Sequence, residues 1–508
     1  MKLIPAFLAL LATAAIATAA EKPNVIVIMA DDLGYGDLSC YGATTFKTPN
    51  LDKLAAEGVR FTQGYCSAST CTPTRYSLLT GEYAFRKKGT GIAAPNGPLT
   101  MDPDTFTLPD VMKKAGYKTA VIGKWHLGLG EPGKGPDWNG EIKPGPLEIG
   151  FDHCFLLPTT NDRVPQVYLQ DHRILNLDPA DPLWVGNKKP ADHPNGRTSR
   201  DTLRMKPTHG HNNTVHNGIP RIGFYTGGNA ARFRDEDLAD KWVEKSTQWI
   251  EKNKDEPFFL FFASHDIHVP RMPHERFQGT TSHGFRGDSI IQFDWSVGEL
   301  MKAVDRLGLA EKTLFVVCSD NGPVMDDGYA DESLEKLGDH RAAGPFQGGK
   351  YSVYEGGNRT PFITRWKGHI TPSVSDEIVC TIDLAHSLAK LTGTEFPENA
   401  FPDSFDITGA LLGKDGAKGR AHLVTQDNGN NGTYGYRSGD WKLHRYDKKH
   451  ARNTVVESKV GNTPMPPFVL YNLAEDPFEK NDVIKNHPEI AEKLKTELAE
   501  IIESGRSR

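Results

Sequence analysis

Asn24-Val25-Ile26-Val27-Ile28-Met29-Ala30-Asp31-Asp32 decides the reading of the fold. Its first seven residues form an almost unbroken β-branched apolar run. That is the pattern of a strand covered on both faces, not of one alternating between core and water. Three later runs repeat it: residues 118–123 (Lys-Thr-Ala-Val-Ile-Gly), 257–264 (Pro-Phe-Phe-Leu-Phe-Phe-Ala-Ser) and 313–318 (Thr-Leu-Phe-Val-Val-Cys). Amphipathic helices are predicted between them, over residues 48–56, 108–115, 235–256 and 288–307. Strands alternating with helices predict an α/β fold with a large, mostly parallel sheet sandwiched by helices.

In such sheets, ligands bind beyond the carboxyl ends of the strands. Each apolar run stops at residues suited to metal or anion chemistry: Asp31-Asp32, Lys124-Trp125-His126, His265-Asp266-Ile267-His268 and Ser319-Asp320-Asn321. Singly, each has an ordinary explanation. Two adjacent aspartates are common in turns and caps, although at a buried strand end they repel unless a cation neutralises them. A Lys-x-His pair is usually surface decoration. All four falling where the fold puts its active site is a much less ordinary coincidence.

A fifth stretch, Cys71-Thr72-Pro73-Thr74-Arg75-Tyr76-Ser77-Leu78-Leu79-Thr80-Gly81, follows small polar residues and enters a short apolar helix. Cys71 is expected at or just before the helix N-terminus, with Pro73 tolerated in the first turn. Unpaired backbone N–H groups and the helix dipole then favour an anion at Cys71, and Arg75 lies one turn on.

The chain has 508 residues, 38% hydrophobic and 24% charged, as expected of a globular protein with a large core. Residues 1–20 have the basic start, apolar middle and small-residue end of a secretory signal peptide, and nothing later is long and apolar enough for a membrane span. An exported protein, periplasmic or extracellular, is expected. The formal charge is 59 − 65 = −6, or −7 after loss of Lys2 with the signal peptide, and no basic stretch interrupts it. That excludes a nucleic-acid footprint. The six cysteines match no zinc framework, and conversion of Cys71 would leave five, an odd number for internal pairing.

Residues 130–229 are rich in Gly, Pro, Asn, Arg and His and lack clear periodicity, which points to functional loops. Thr160, Asp162 and Arg163 are the first candidates for substrate recognition; His209 and His211 are the second. A polar loop, 325–349, precedes Lys350 and Tyr354-Glu355-Gly356-Gly357. A small, charged stretch at 413–418 marks a boundary, dividing the mature chain into a catalytic unit (21–415) and a C-terminal unit (416–508). The latter reads as short antiparallel strands at 421–426, 434–437, 441–446 and 468–472, followed by a charged helix at 488–503.

Cys-x-Pro-x-Arg followed by Leu-Thr-Gly resembles the signature of type I sulfatases, the alkaline-phosphatase-like hydrolases whose cysteine is oxidised to Cα-formylglycine. Thr74 stands where that family usually has serine, and it keeps the hydroxyl. The resemblance extends to the Asp-Asp after the first strand, Gly-Lys-x-His, the histidine before Val-Pro, Asp-Asn-Gly, and the lysine before Tyr-Glu-Gly-Gly. It implies that Asp31, Asp32, Asp320, Asn321 and an oxygen of modified Cys71 hold one cation. Oxygen ligands select calcium or magnesium, and a flexible set fits calcium slightly better. It further implies a hydrated aldehyde at Cys71 that attacks sulfur, with Arg75 and Lys124 holding the developing charge. His268 and Lys350 would stand at the leaving oxygen, and His126 would take a proton as sulfate is expelled. His268, nearer the proline, is expected to serve rather than His265.

The implied partners are a sulfated carbohydrate substrate and a formylglycine-generating maturation enzyme. Two alternatives stand beside this reading. One is a phosphodiesterase or phosphonate hydrolase on the same fold; the other is an unmodified sulfated-glycan-binding protein.

Overall fold

The computed structural model describes residues 22–190, 193–427, 432–447 and 465–508. The expected signal peptide lies outside the described residues, none of which forms a helix long and apolar enough to cross a membrane. In chain order the main sheet is built from β1 (Asn24–Ala30), β2 (Val59–Tyr65), β3 (Lys118–Lys124), β4 (His153–Leu157), β5 (Leu169–Gln170), β6 (Arg173–Ile174), β7 (Phe258–Ala263), β8 (Thr313–Ser319), β9 (Phe362–Trp366) and β10 (Ser373–Cys380). Their lateral order is β10-β2-β9-β8-β1-β7-β3-β4-β5-β6. The four strands expected from the apolar runs are adjacent and mutually parallel at its centre, β8-β1-β7-β3. Antiparallel pairing enters only through β9 on one side and β5 and β6 on the other.

Both faces of the central strands are covered, which is why their sequences do not alternate. Val25, Val27 and Met29 enter one apolar cluster, while Ile26, Ile28 and Ala30 enter the other. On the first face pack α2 (Cys71–Thr80), α3 (Leu108–Lys114) and α7 (Leu384–Thr392); on the second, α1 (Pro49–Ala56), α4 (Leu238–Lys252) and α5 (Gly284–Arg306). A short helix, α6 (Glu355–Asn358), lies between β8 and β9.

Three helix bounds differ from expectation. α4 ends at Lys252 rather than at 256. Residues 235–237 form a 3₁₀ turn rather than the start of α4. α5 begins at Gly284, because Asp288 does not cap it. Its carboxylate instead accepts the backbone N–H groups of Gly279 and Thr281 from the preceding turn.

The C-terminal strands β11 (His422–Gln426), β12 (Tyr434–Ser438), β13 (Trp441–Arg445) and β14 (Phe468–Asn472) form an antiparallel sheet in sequential order. α8 (Pro488–Glu503) packs on it through Ala491, Leu494 and Leu498. Tyr65, Tyr83 and Cys380 join the same apolar cluster, so this sheet is seated against the large unit.

Candidate active site

The carboxyl ends of β1, β3 and β8 converge with the start of α2. Asp320 N–H donates to Ala30 O (3.1 Å) and Asp31 N–H to Asp266 O (2.8 Å), which ties the ends of β1, β7 and β8 together. Asp31, Asp32, Asp320 and Asn321 are buried there, and oxygens of the three carboxylates lie within 4.8 Å of one another. Asn321 Nδ2 donates to Asp32 Oδ1 (2.7 Å). Asp31 Oδ1 and Asn321 Oδ1 have no hydrogen-bond partner among the described residues. Burial and the adjacent Asp320 push the Asp31 carboxyl well above its usual range, despite Lys124 and Arg75. Oxygen donors only, two of them buried and unsatisfied, fit a hard divalent cation.

α2 opens at Cys71 after the extended Thr70, and Gly81 ends it in the left-handed region (φ 59°), donating to Ser77 O. All ten residues of the helix are buried. Thr74 Oγ1 donates to Ala68 O (2.9 Å) and accepts Ala68 N–H (3.2 Å), closing the turn before Cys71. Serine could supply the same hydroxyl. The Cys71 thiol lies within 4.8 Å of ligand atoms of Asp31 and His268, and burial raises its pKa against the pull of Lys124 and Lys350. A thiol held protonated is a weak nucleophile.

Three cations surround Cys71. Arg75 Nε donates to Asp320 Oδ2 (3.0 Å) and Nη1 to Lys124 O (3.1 Å), while Nη2 is 2.9 Å from Asp320 Oδ2. Lys124 Nζ bonds Asp31 Oδ2. Lys350 Nζ bridges Asp32 (Oδ1, 2.9 Å) and Asp327 (Oδ2, 2.9 Å). His126, with φ 54°, is tied to α2 by Thr72 Oγ1 donating to its carbonyl (2.9 Å). Its Nε2 faces Ala93 O (3.3 Å), and its buried Nδ1 has no partner among the described residues. His268 Nδ1 is 2.6 Å from Val269 O and 3.2 Å from Thr160 Oγ1, an arrangement in which Nδ1 donates and Nε2 remains available. Burial, reinforced by Lys124, holds both histidines neutral.

His265 points elsewhere. Trp242 Nε1 donates to its Nδ1 (3.1 Å) in the interior, and burial lowers its pKa to about 3.

Of the recognition candidates, Thr160 contacts His268. Asp162 accepts Arg163 Nη1 (2.9 Å) and is 2.9 Å from His211 Nε2. Burial opposes ionisation of Asp162, but Arg163 and His211 hold its carboxyl well below the usual range. His209 joins this group only through its carbonyl, 3.1 Å from His211 Nδ1; its side chain is 55% exposed and lies 3.9 Å from Asp326.

Two residues of the same neighbourhood carry no sequence signal. Asp327 binds Lys350, and Tyr351, in the left-handed region at φ 75°, donates its hydroxyl to Asp327 Oδ1 (3.0 Å). They sit in an irregular polar loop; only adjacency to Lys350 could have drawn attention to Tyr351.

Residues 23–394 match the family model described as Sulfatase. The chain is 46% identical to the N-acetylgalactosamine-6-O-sulfatase of Bacteroides thetaiotaomicron over 489 residues, covering 96% of this chain and 94% of that protein. It is 32% identical to human arylsulfatase A over 96% of this chain and 89% of that one. A solved structure from work on the metabolism of multiple glycosaminoglycans by Bacteroides thetaiotaomicron superposes with a TM-score of 0.91 at 45% identity, over 95% of this chain and 100% of the other. The alkaline-phosphatase-like α/β expectation holds at this level of likeness.

Proposed function

Since this chain belongs to the sulfatase family and is a sulfuric ester hydrolase, we propose that it is an exported enzyme removing sulfate from a sulfated carbohydrate. It would use a Cα-formylglycine made from Cys71 by a maturation enzyme, with one divalent cation, calcium or magnesium. The observation that carries this reading is the setting of Cys71: Arg75, Lys124, Lys350 and the neutral His268 around it, beside oxygen donors that lack a partner among the described residues.

Asp31, Asp32, Asp320 and Asn321 would hold the cation. Together the cation and the oxidised Cys71 supply an oxygen nucleophile for sulfur and neutralise its charge. The chain's own groups do the rest. Arg75 is fixed by Asp320 and by the Lys124 carbonyl, so its guanidinium meets the ester without reorganising. Lys124 and Lys350, both buried, add two positive charges whose field is weakly screened there. An incoming sulfate anion offsets both lysines and raises the proton affinity of His268. His268 can then carry a proton at Nε2 to the leaving oxygen, with Lys350 alongside. His126 keeps Nδ1 free, and that nitrogen would accept the proton of the second hydroxyl on the oxidised residue 71 as the carbon–oxygen bond to sulfate breaks.

The proposed recognition wall is Asp162, Arg163 and His211, next to Thr160; His209 would serve only from the rim. An ionised carboxylate beside a guanidinium suits ring hydroxyls, and the 46%-identical relative makes 6-O-sulfated N-acetylgalactosamine the first substrate to test.

The test compares product release from sulfated sugars, aryl sulfates, and phosphate mono- and diesters by the purified, matured enzyme. Preference for a sulfated sugar is expected. Preference for a phosphodiester would replace this reading with the phosphodiesterase alternative.

A further inference from the structure

A second buried charge cluster joins the four-stranded sheet to the segment carrying Lys350. Glu355, fully buried at the start of α6, accepts Lys442 Nζ at Oε1 (2.8 Å), and Tyr65 OH (2.5 Å) and Arg359 Nη1 (3.2 Å) at Oε2. Its backbone N–H donates to Glu479 Oε2 (2.5 Å). Glu479 Oε1 is also 3.0 Å from Lys442 Nζ and 2.8 Å from His444 Nε2. Lys442 and His444 belong to β13, and Glu479 follows β14. Glu479 itself sits at φ 52°, a conformation that costs a non-glycine residue free energy and persists only where the surroundings impose it.

From Glu355 the connection to the active site has no slack. Gly356 N–H donates to Gln347 O (2.8 Å), and Gly322 N–H, directly after Asn321, donates to Gly357 O (2.9 Å). A Cβ on Gly356 would lie 2.5 Å from Gln347 O, one on Gly357 2.0 Å from Ser352 O, and one on Gly322 1.9 Å from Gly356 O. Backbones packed this closely cannot slide past one another, so a shift of Glu355 moves both the Lys350 loop and the Asp320–Asn321 turn.

We propose that Glu479 and Lys442 are positioning residues for the reaction: through Glu355 they hold the 347–358 segment in register and so set where Lys350 Nζ meets the leaving oxygen. Buried ion networks contribute little net stability but can specify one geometry, and here that geometry is catalytic. The inference rests on the role assigned above to Lys350.

The experiment uses full-length matured enzyme carrying Lys442→Met, Glu479→Gln or the conservative Lys442→Arg. It compares N-acetylgalactosamine 6-sulfate with 4-nitrophenyl sulfate, whose leaving group needs little help from Lys350. The two disruptive variants should lose tenfold or more in kcat on the sugar, with KM and the aryl ester changed less than threefold, and Lys442→Arg should recover most of the loss. Should Lys442→Met fail to accumulate, Glu479→Gln, an isostere that keeps an acceptor oxygen, carries the same expectation. Equal losses on both esters, or unchanged kcat with only a lower melting temperature, would overturn the linkage. A wild type releasing no sulfate from either ester would overturn the functional reading itself, and the linkage with it.

Discussion

His265 and His268 lie three residues apart, yet the structure turns them to opposite fates, and alanine substitution at each should separate chemistry from stability. His268→Ala removes the ring proposed to protonate the leaving oxygen. General acid–base groups contribute roughly 10²–10⁴ in rate, or about 3–5 kcal/mol of barrier, so kcat on a sugar sulfate should fall by that factor. A 4-nitrophenyl ester should lose far less. His265→Ala instead deprives buried Trp242 Nε1–H of its acceptor. An unsatisfied buried donor costs about 1–3 kcal/mol, and the vacated ring adds a cavity cost, so this variant should melt earlier. Its kcat per folded molecule should stay within about threefold of wild type, a shift of under about 1 kcal/mol in barrier. The assay is initial-rate sulfate release over a range of substrate concentrations, run well below both melting midpoints. Comparable kcat losses in the two variants, or a His268→Ala enzyme as active as wild type, would refute the assignment.

Three further outcomes follow from the geometry. Burial alone would raise the Asp37 carboxyl, but Arg286 (2.6 Å) and His340 (2.8 Å) outweigh it and hold the pKa at about 2. A depressed carboxyl adds stability that is full above about pH 4 and is lost as pH falls towards 2, here roughly 2 kcal/mol. The stability difference between wild type and Asp37→Asn should therefore shrink across that window in denaturant unfolding; a constant difference would contradict the pairing. Chelating divalent cations should abolish turnover and lower the melting midpoint, because a cation bound only by the folded site stabilises it by mass action, and added calcium or magnesium should restore both. Full turnover in chelator would count against the cation. Thr74→Val should cost about 1–3 kcal/mol by leaving the Ala68 N–H and C=O without their hydroxyl partner, whereas Thr74→Ser should melt near wild type.

The central strands were legible because burial on both faces leaves a continuous apolar run, and the C-terminal strands because each is a short, largely buried run. β2 and β10 were not. Val-Arg-Phe-Thr-Gln-Gly-Tyr alternates only as far as Thr62 and then breaks at Gln63 and Gly64, too short a pattern to mark a strand, and the first five residues of β10 are exposed or partly so. Nothing local distinguishes these from loops until a neighbouring strand supplies their hydrogen bonds. β4, His-Cys-Phe-Leu-Leu, was hidden by its short length inside an irregular stretch.

At the site, motif spacing pointed to the residues that end strands or start α2, because strand ends are where this sheet presents side chains. Asp327 and Tyr351 reach the same neighbourhood from the loop after β8, and long-range folding alone places them there. The pairing of Glu355 with Lys442 and Glu479 spans 87 residues for its lysine and 124 for its glutamate, beyond any local pattern.

The proposed chemistry depends most on the chemical state of residue 71. Peptide mass spectrometry across Cys71, on enzyme that releases sulfate from a sulfated sugar, tests it most directly. The expected result is an aldehyde or its hydrate in place of the thiol, in a fraction that tracks specific activity. An active preparation in which every Cys71 peptide carries an intact thiol would contradict the account.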